Sequence, residues 1–191
     1  MTSCVFCRLV AGELPAAFVH RDDRVVAFMD AGQVNDGHVI VATVRHVETI
    51  SGGSGAGPDF DGTDVVQTHM TNSRLTDPEV LEWRFPVRLE SYAIRRGSGG
   101  AGRHRGGDGG ERRVRFLEAM TAVMLANHRR VAPFGVAGGS PGALGENWVE
   151  RNDGSRESFG ATFKVEMRPG DVFVVRTPGG GGFGAPEGRN G

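Results

Sequence analysis

The sequence predicts an α+β protein that is mostly antiparallel β. Of 31 glycines, 21 cluster at 52–57, 97–110, 138–145 and 179–184, which favours turns and short strands over long helices. Short runs alternate apolar with polar residues, most clearly at 162–167. One segment alone, TDPEVLEWRF at 76–85, opens with strong helix-start residues.

In chain order, AAFVHRDD (16–23), RVVAFMD (24–30) and GHVIVATVRH (37–46) read as three strands, with Asp22-Asp23 as a hairpin turn. Thr76 and Glu79 form a Thr-x-x-Glu capping box, Pro78 sits in the first turn, and Pro86 ends the helix. VRLESYAI (87–94) alternates like a half-buried strand. RRVRFLEAMTAVML (112–125) fits a strand pair or a helix, and the strand reading is favoured. In TFKVEMRPGDVFVV (162–175), Phe163, Val165 and Met167 alternate with Lys164, Glu166 and Arg168. Pro-Gly-Asp then leads into an apolar run, which is the grammar of a hairpin.

The chain has 191 residues, room for one domain or two small ones. A net charge of −1 gives no global attraction for nucleic acid or anionic membrane. No run of 18 or more apolar residues occurs, so no transmembrane helix is expected. MTSCVFCRLVAGELP lacks the pattern of a signal peptide, which points to the cytoplasm and reduced thiols. Of the 22 basic residues, 21 are arginine and one is Lys164. Lys164 follows Phe163 rather than a glycine, so no phosphate-binding Gly-Lys-Ser/Thr loop exists.

Several motifs fail on context. GSGGAG (97–102) and GGGGFG (179–184) match G-x-G-x-x-G, but neither follows a strand and opens a helix, so both read as glycine turns. RRGSGGAGRHRGGDGGERRVR resembles an RGG-type RNA binder, yet it holds no stacking aromatic except His104 and reads as a structural loop.

Cys4-Val-Phe-Cys7 fits half a zinc site, a redox pair or chance. With CVFCRLVAGELPAAFVHRDDRVVAFMD and GHVIVATVRHVE, it resembles the histidine-triad (HIT) nucleotide-binding family over residues 3 to about 49. That resemblance implies structural zinc on Cys4, Cys7 and His46. It also implies ribose contact by Asp30, and it places His38 in the family's Gly-His pair. The chain departs from the family at its defining feature. Its histidines lie at 20, 38, 46, 69, 104 and 128, so no His-x-His-x-His exists to supply the nucleophilic imidazole. The fourth zinc ligand is expected from the same missing half.

GGSGAGPDFDGTDVVQTHMTN and the residues on to Glu118, FGVAGGSPGALGENWV, and MRPGDVFVVRTPGGGGFG resemble the C-terminal region of the hydantoinase B/oxoprolinase family, from about Glu48 to Gly184. The resemblance implies ATP-dependent hydrolysis of cyclic amides such as 5-oxoproline or hydantoins, with ATP handled by a hydantoinase A-type subunit. Only the last quarter or so of that family's domain is expected here. Amide hydrolysis wants a general base and amide-type donors, and His69, Asn72 and Glu82 are the candidates. Thr71 and Asn72 also suit a turn, and Glu79 suits solvent.

The expected organisation is a partial HIT-like domain at 1–48 and the C-terminal part of a hydantoinase B/oxoprolinase domain at 49–191. SGGSGAG (51–57) belongs to the second pattern and is not a linker, so the chain reads as a chimeric fragment joined near Val47-Glu48. Each part lacks strands its core expects, which implies marginal stability or dependence on a partner.

Overall fold

A computed structural model describes residues 8–9, 11–21, 25–29, 39–43, 50–67 and 75–186. The chain divides into two compact units, Met1–Glu48 and Thr49–Gly191.

In the first unit, β1 (Phe18–Arg21), β2 (Val25–Met29) and β3 (Val39–Thr43) form an antiparallel sheet in the order β1-β2-β3. The three strands pair with their neighbours in chain order, in keeping with the reading of three successive strands here. All four residues of β1 are exposed, and Ala27 on β2 is buried.

Among the described residues, the first regular element of the second unit is α1 (Pro78–Arg84). The expected Thr76 cap is not the one used. Asp77 occupies the N-cap, and its carboxylate accepts from the Glu79 amide at 2.9 Å, with Pro78 following directly. A proline at the first helical position costs no hydrogen bond, so the residue just before it is selected as the cap. Glu79 is then the second helical residue, one short of the third position that a capping box requires.

The strands that follow are β4 (Val87–Arg95), β5 (Gly109–Phe116), β6 (Met120–Leu125), β7 (Glu146–Glu150), β8 (Arg156–Phe159), β9 (Thr162–Met167) and β10 (Val172–Arg176). They form a five-stranded sheet, β4-β5-β10-β7-β8, and a two-stranded sheet, β6-β9, with every pairing antiparallel. The strand reading of 112–125 holds. The hairpin reading of 162–175 does not, because β9 pairs with β6 and β10 enters the other sheet between β5 and β7. The reason is the turn itself. Asp171, 1% exposed, accepts from the Arg168 amide (2.9 Å), the Asn152 amide (3.0 Å) and the Arg151 guanidinium (2.9 Å). Gly170, at φ +92°, donates to the Phe116 carbonyl. The turn is bound to β5 and to the β7–β8 connection, so it steers the chain out of one layer and into the other.

Between the layers lies the core: Leu81, Val87, Phe116, Ala122, Val149, Val165 and Met167, flanked by Phe85, Val114, Met120, Phe159, Phe163 and Phe173. Phe163 stacks on Phe159 at 4.4 Å and meets Phe173 edge-on at 5.8 Å. Burial of each large side chain here contributes about 1.5–3 kcal/mol.

The glycine clusters build a second layer of packing that contains no strand. Residues 178–184 run through its middle. The carbonyls of Pro178 and Gly181 accept from Gly53 and Ala56 at 3.0 and 2.9 Å. The amides of Gly179 and Gly182 donate to Ala143 and Ser140 at 3.2 and 2.9 Å. Those of Gly180 and Phe183 donate to Gly107 and His104, both at 2.9 Å. Each neighbouring segment is thus met at every third residue, where a strand would meet its partners at every second. This is the periodicity of a three-residue extended helix, which has no internal hydrogen bonds and must satisfy its backbone on neighbouring chains. The spacing repeats between neighbours: Ala143 and Ser140 donate to Ser98 and Ala101, and Gly62 and Val65 donate to Arg105 and Asp108.

Glycine is required here by proximity. A Cβ on Gly180 would stand 1.8 Å from the Ser54 carbonyl oxygen, and one on Gly181 would stand 1.8 Å from that of Phe134. Residues 98–102 and 179–183 are therefore extended bundle segments, which corrects the expectation of glycine turns there, while Gly97 (φ +76°) does sit in a turn and Gly184 (φ +75°) in a bend. Residues 51–57 lie in the same bundle, consistent with a folded role rather than a spacer. No described helix is long and apolar enough to cross a membrane.

Candidate functional site

Of the residues singled out by sequence, Cys4, Cys7, Asp30, His38, His46, His69 and Asn72 lie outside the described residues. Glu82 is described. It projects from α1, and one carboxylate oxygen accepts from the Leu89 amide of β4 at 2.8 Å. Leu89 borders an irregularity in the β4–β5 register, between Leu89 and Ser91. Glu82 therefore fastens the helix to the sheet.

The densest chemistry on the second unit is a face of the five-stranded sheet. Along β5, Glu111, Arg113 and Arg115 share one face, opposite Arg176, Val174 and Val172 on β10, which in turn oppose Glu146, Trp148 and Glu150 on β7. Arg113 holds Glu150 through two bonds, 2.9 and 2.6 Å. Arg176 reaches Glu111 at 2.5 Å, Arg95 reaches Glu146 at 2.7 Å, and Arg115 pairs with Glu90. Beneath them Trp148, Val172 and Val174 form a small buried cluster, and the Arg156 guanidinium lies 3.9 Å over the Trp148 ring.

The electrostatics follow from this pairing. The Arg113 fork, then the Trp148 indole N–H, hold the Glu150 carboxyl down to about 2. The same bond to Glu150 pushes the Arg113 guanidinium up. Burial lowers Arg129, helped by the charge of Arg95, while its guanidinium binds the Asn147 side-chain oxygen at 2.8 Å. A carboxylate held ionised and saturated with donors is a poor general base, so this face suits rigidity better than proton transfer.

The arginines of 95–115 are likewise occupied. Arg103 donates to the Pro58 carbonyl, and Arg105 pairs with Asp64 at 3.1 Å. The Asp108 amide, chiefly, with Arg105 and Arg96, holds the Asp64 carboxyl low against its burial. Asp108 itself accepts from the Gly97 and Gly99 amides at 3.2 and 2.7 Å, pinning the loop that carries them. Among the described residues, no group of three or more His, Cys, Asp or Glu side chains is placed to hold a metal.

Sequence reasoning missed the ion-pair face and the Asp171 and Asp108 locks. The face had a legible signal, since Glu111, Arg113 and Arg115 alternate at strand spacing. It lay inside a run that composition alone assigns to a loop.

The profile of the hydantoinase B/oxoprolinase family matches residues 4–186. A 5-oxoprolinase of Dictyostelium discoideum is 42% identical over 145 residues, which is 76% of this chain and 12% of that protein. A 5-oxoprolinase of Saccharomyces cerevisiae is 48% identical over 146 residues, 73% of this chain and 11% of that protein. The crystal structure of an ATP-dependent caprolactamase from Pseudomonas jessenii superposes with a TM-score of 0.62 at 25% identity, covering 89% of this chain and 30% of that one. The chain thus spans between about a tenth and a third of the length of these relatives.

Proposed function

The chain belongs to the hydantoinase B/oxoprolinase family, and from that premise we propose that it is part of an ATP-dependent hydrolase acting on cyclic amides of the 5-oxoproline or hydantoin kind. The observation that carries this reading is the 42% identity to a 5-oxoprolinase over three quarters of the chain. In this reading the chain is inactive alone. A hydantoinase A-type subunit supplies ATP handling, in keeping with the lack of a phosphate-binding lysine loop, and a small cyclic amide is the substrate. His69 and Asn72 are proposed to face the substrate as base and amide-type donor. Glu82 holds the helix that follows them through its bond to Leu89. The test is 5-oxoproline-dependent release of phosphate from ATP, measured for the chain alone and after mixing with a hydantoinase A-type subunit. Activity only in the mixture, lost in His69→Ala, is expected. Activity of the chain alone, or none in a mixture that does form a complex, overturns the proposal.

The N-terminal segment supports a second reading, on the motif order of residues 3–49 together with the antiparallel β1-β2-β3 sheet. It is a HIT-like remnant that binds zinc through Cys4, Cys7 and His46 and touches a nucleotide through Asp30 and His38, without hydrolase activity. The family profile begins at residue 4 and so runs across this segment, which favours the first reading. Zinc titration separates the two: one equivalent bound, and lost in Cys4→Ser, is the outcome the remnant requires.

A further inference from the structure

We infer that residues 172–184 act as a keystone, one continuous segment whose insertion completes the five-stranded sheet and the glycine bundle together, so that the two layers open and close as one. The first half of the segment is β10. It lies between β5 and β7 and is hydrogen-bonded to both, with Val174 0% exposed. Without it the sheet falls into two separate pairs, β4-β5 and β7-β8, and two-stranded pieces are marginal in water. The second half, 178–184, is the segment around which 52–56, 100–107 and 136–143 gather. It exchanges backbone hydrogen bonds with all three.

No spacer separates the halves. Arg176 is the last residue of β10, the Thr177 amide donates to the Gly110 carbonyl at 2.8 Å, and its hydroxyl accepts from the Gly110 amide at 2.6 Å. Thr177 is 3% exposed, so the junction is fixed at the point where sheet becomes bundle. At the other end, the buried Asp171 fixes where the segment leaves β9. With no spacer at Thr177, one backbone carries the hydrogen bonds of both layers, so displacing it from one disturbs its placement in the other. Loosening of the bundle is therefore transmitted to the sheet through the backbone itself, and this holds whatever reaction the family assignment brings.

The test is native-state amide hydrogen exchange on the full chain across a urea series. The amides of Gly100, Gly180 and Gly182 in the bundle, and of Val149 and Val174 in the sheet, are expected to converge on a single exchange isotherm as urea rises, the mark of one cooperative unit. Gly181→Ala, which sets a side chain against the Phe134 carbonyl, is expected to speed exchange of Val149 and Val174 by the same factor as that of Gly100 and Gly180. Bundle amides that exchange through a separate opening, with Val149 and Val174 still protected, would overturn the inference. If Gly181→Ala does not fold, the wild-type isotherms decide the matter alone.

Discussion

Replacing Gly180 by alanine probes the glycine bundle where its geometry is tightest. The new Cβ would lie 1.8 Å from the Ser54 oxygen, whereas ordinary contact begins at 3.4 Å, so two backbones must part by the difference, about 1.6 Å. The atom in the way is a carbonyl oxygen, which has no rotamer to swing aside. Overpacking of this kind costs about 1–3 kcal/mol. Parting the chains also stretches the bonds from Gly180 to Gly107 (2.9 Å) and from Gly100 to Gly180 (2.8 Å), worth about 0.5–1.5 kcal/mol each. The expected loss is about 2–6 kcal/mol, a large share of the ~5–15 kcal/mol that holds an ordinary domain folded. Gly160→Ala is the control, because nothing lies within 4 Å of its Cβ and its φ is not positive. It should be neutral or stabilising by about 0.4–1 kcal/mol through the unfolded chain. Urea unfolding followed by tryptophan fluorescence reads both variants, since Trp148 is 3% exposed and Trp83 is already 79% exposed. With a slope of about 1–3 kcal/mol per molar urea, Gly180→Ala should lower the midpoint by about 0.7 M or more. A stability within about 0.5 kcal/mol of the wild type, taken as the midpoint shift times an unchanged slope, would refute the close-approach argument.

The cap assignment predicts that Asp77→Ala costs about 1 kcal/mol and more than Thr76→Ala, and equal urea midpoints for the two variants would count against it. Glu150 has its folded pKa depressed from 4.5 to about 2, so its contribution is present above about pH 4.5 and fades as pH falls toward 2. Glu150→Gln should flatten that part of the stability profile, more at low salt than at high because the pair is partly exposed, and an unchanged slope from pH 5 to 2 would sink the assignment. Burial opposes ionisation of Asp171, but the amides of Arg168 and Asn152 and the Arg151 guanidinium outweigh it. Asp171→Asn should therefore lose about 3 kcal/mol, read as a fall in Tm by calorimetry, and a Tm equal to the wild type would show that the turn needs no charge.

Much of the fold was legible because it rests on local signals. Apolar runs flanking the Asp22-Asp23 turn signal, alternation at 162–167, and the apolar run at 172–175 mark strands by local pattern alone. The helix at 78–84 follows from Pro78 and a short polar cap. What was not legible is which strands pair. β9 and β10 are adjacent in sequence with Pro-Gly-Asp between them, and the bonds from Asp171 to Asn152 and Arg151 and from Gly170 to Phe116 turn them toward different sheets. Asn152 and Arg151 come from a separate connection, and no spacing rule links them to the turn. For the candidate site, Glu82 was found by residue type, but its bond to Leu89 depends on how α1 docks against β4. The ion-pair face was hidden for a related reason. Arginine in a glycine-rich run reads as a loop until the run is seen to end at Gly109, where β5 begins.

The glycines show how the same composition carries opposite meanings. A cluster such as SGGSGAG or GGGGFG reads as freedom, since glycine has the most conformations to lose. Here the clusters are closely packed, because absent side chains let carbonyls and amides of separate segments reach hydrogen-bonding distance on several sides. The entropy lost by ordering them must be offset by the bonds so formed, and those bonds exist only when all the segments are present. A layer built in this way has no partial version: a missing segment strips partners from two or three others at once. The centre of the bundle, 178–184, follows directly from β10 at the centre of the sheet. That mutual dependence of the segments is why a methyl group placed at Gly180 should cost more than its size would suggest at an ordinary surface turn.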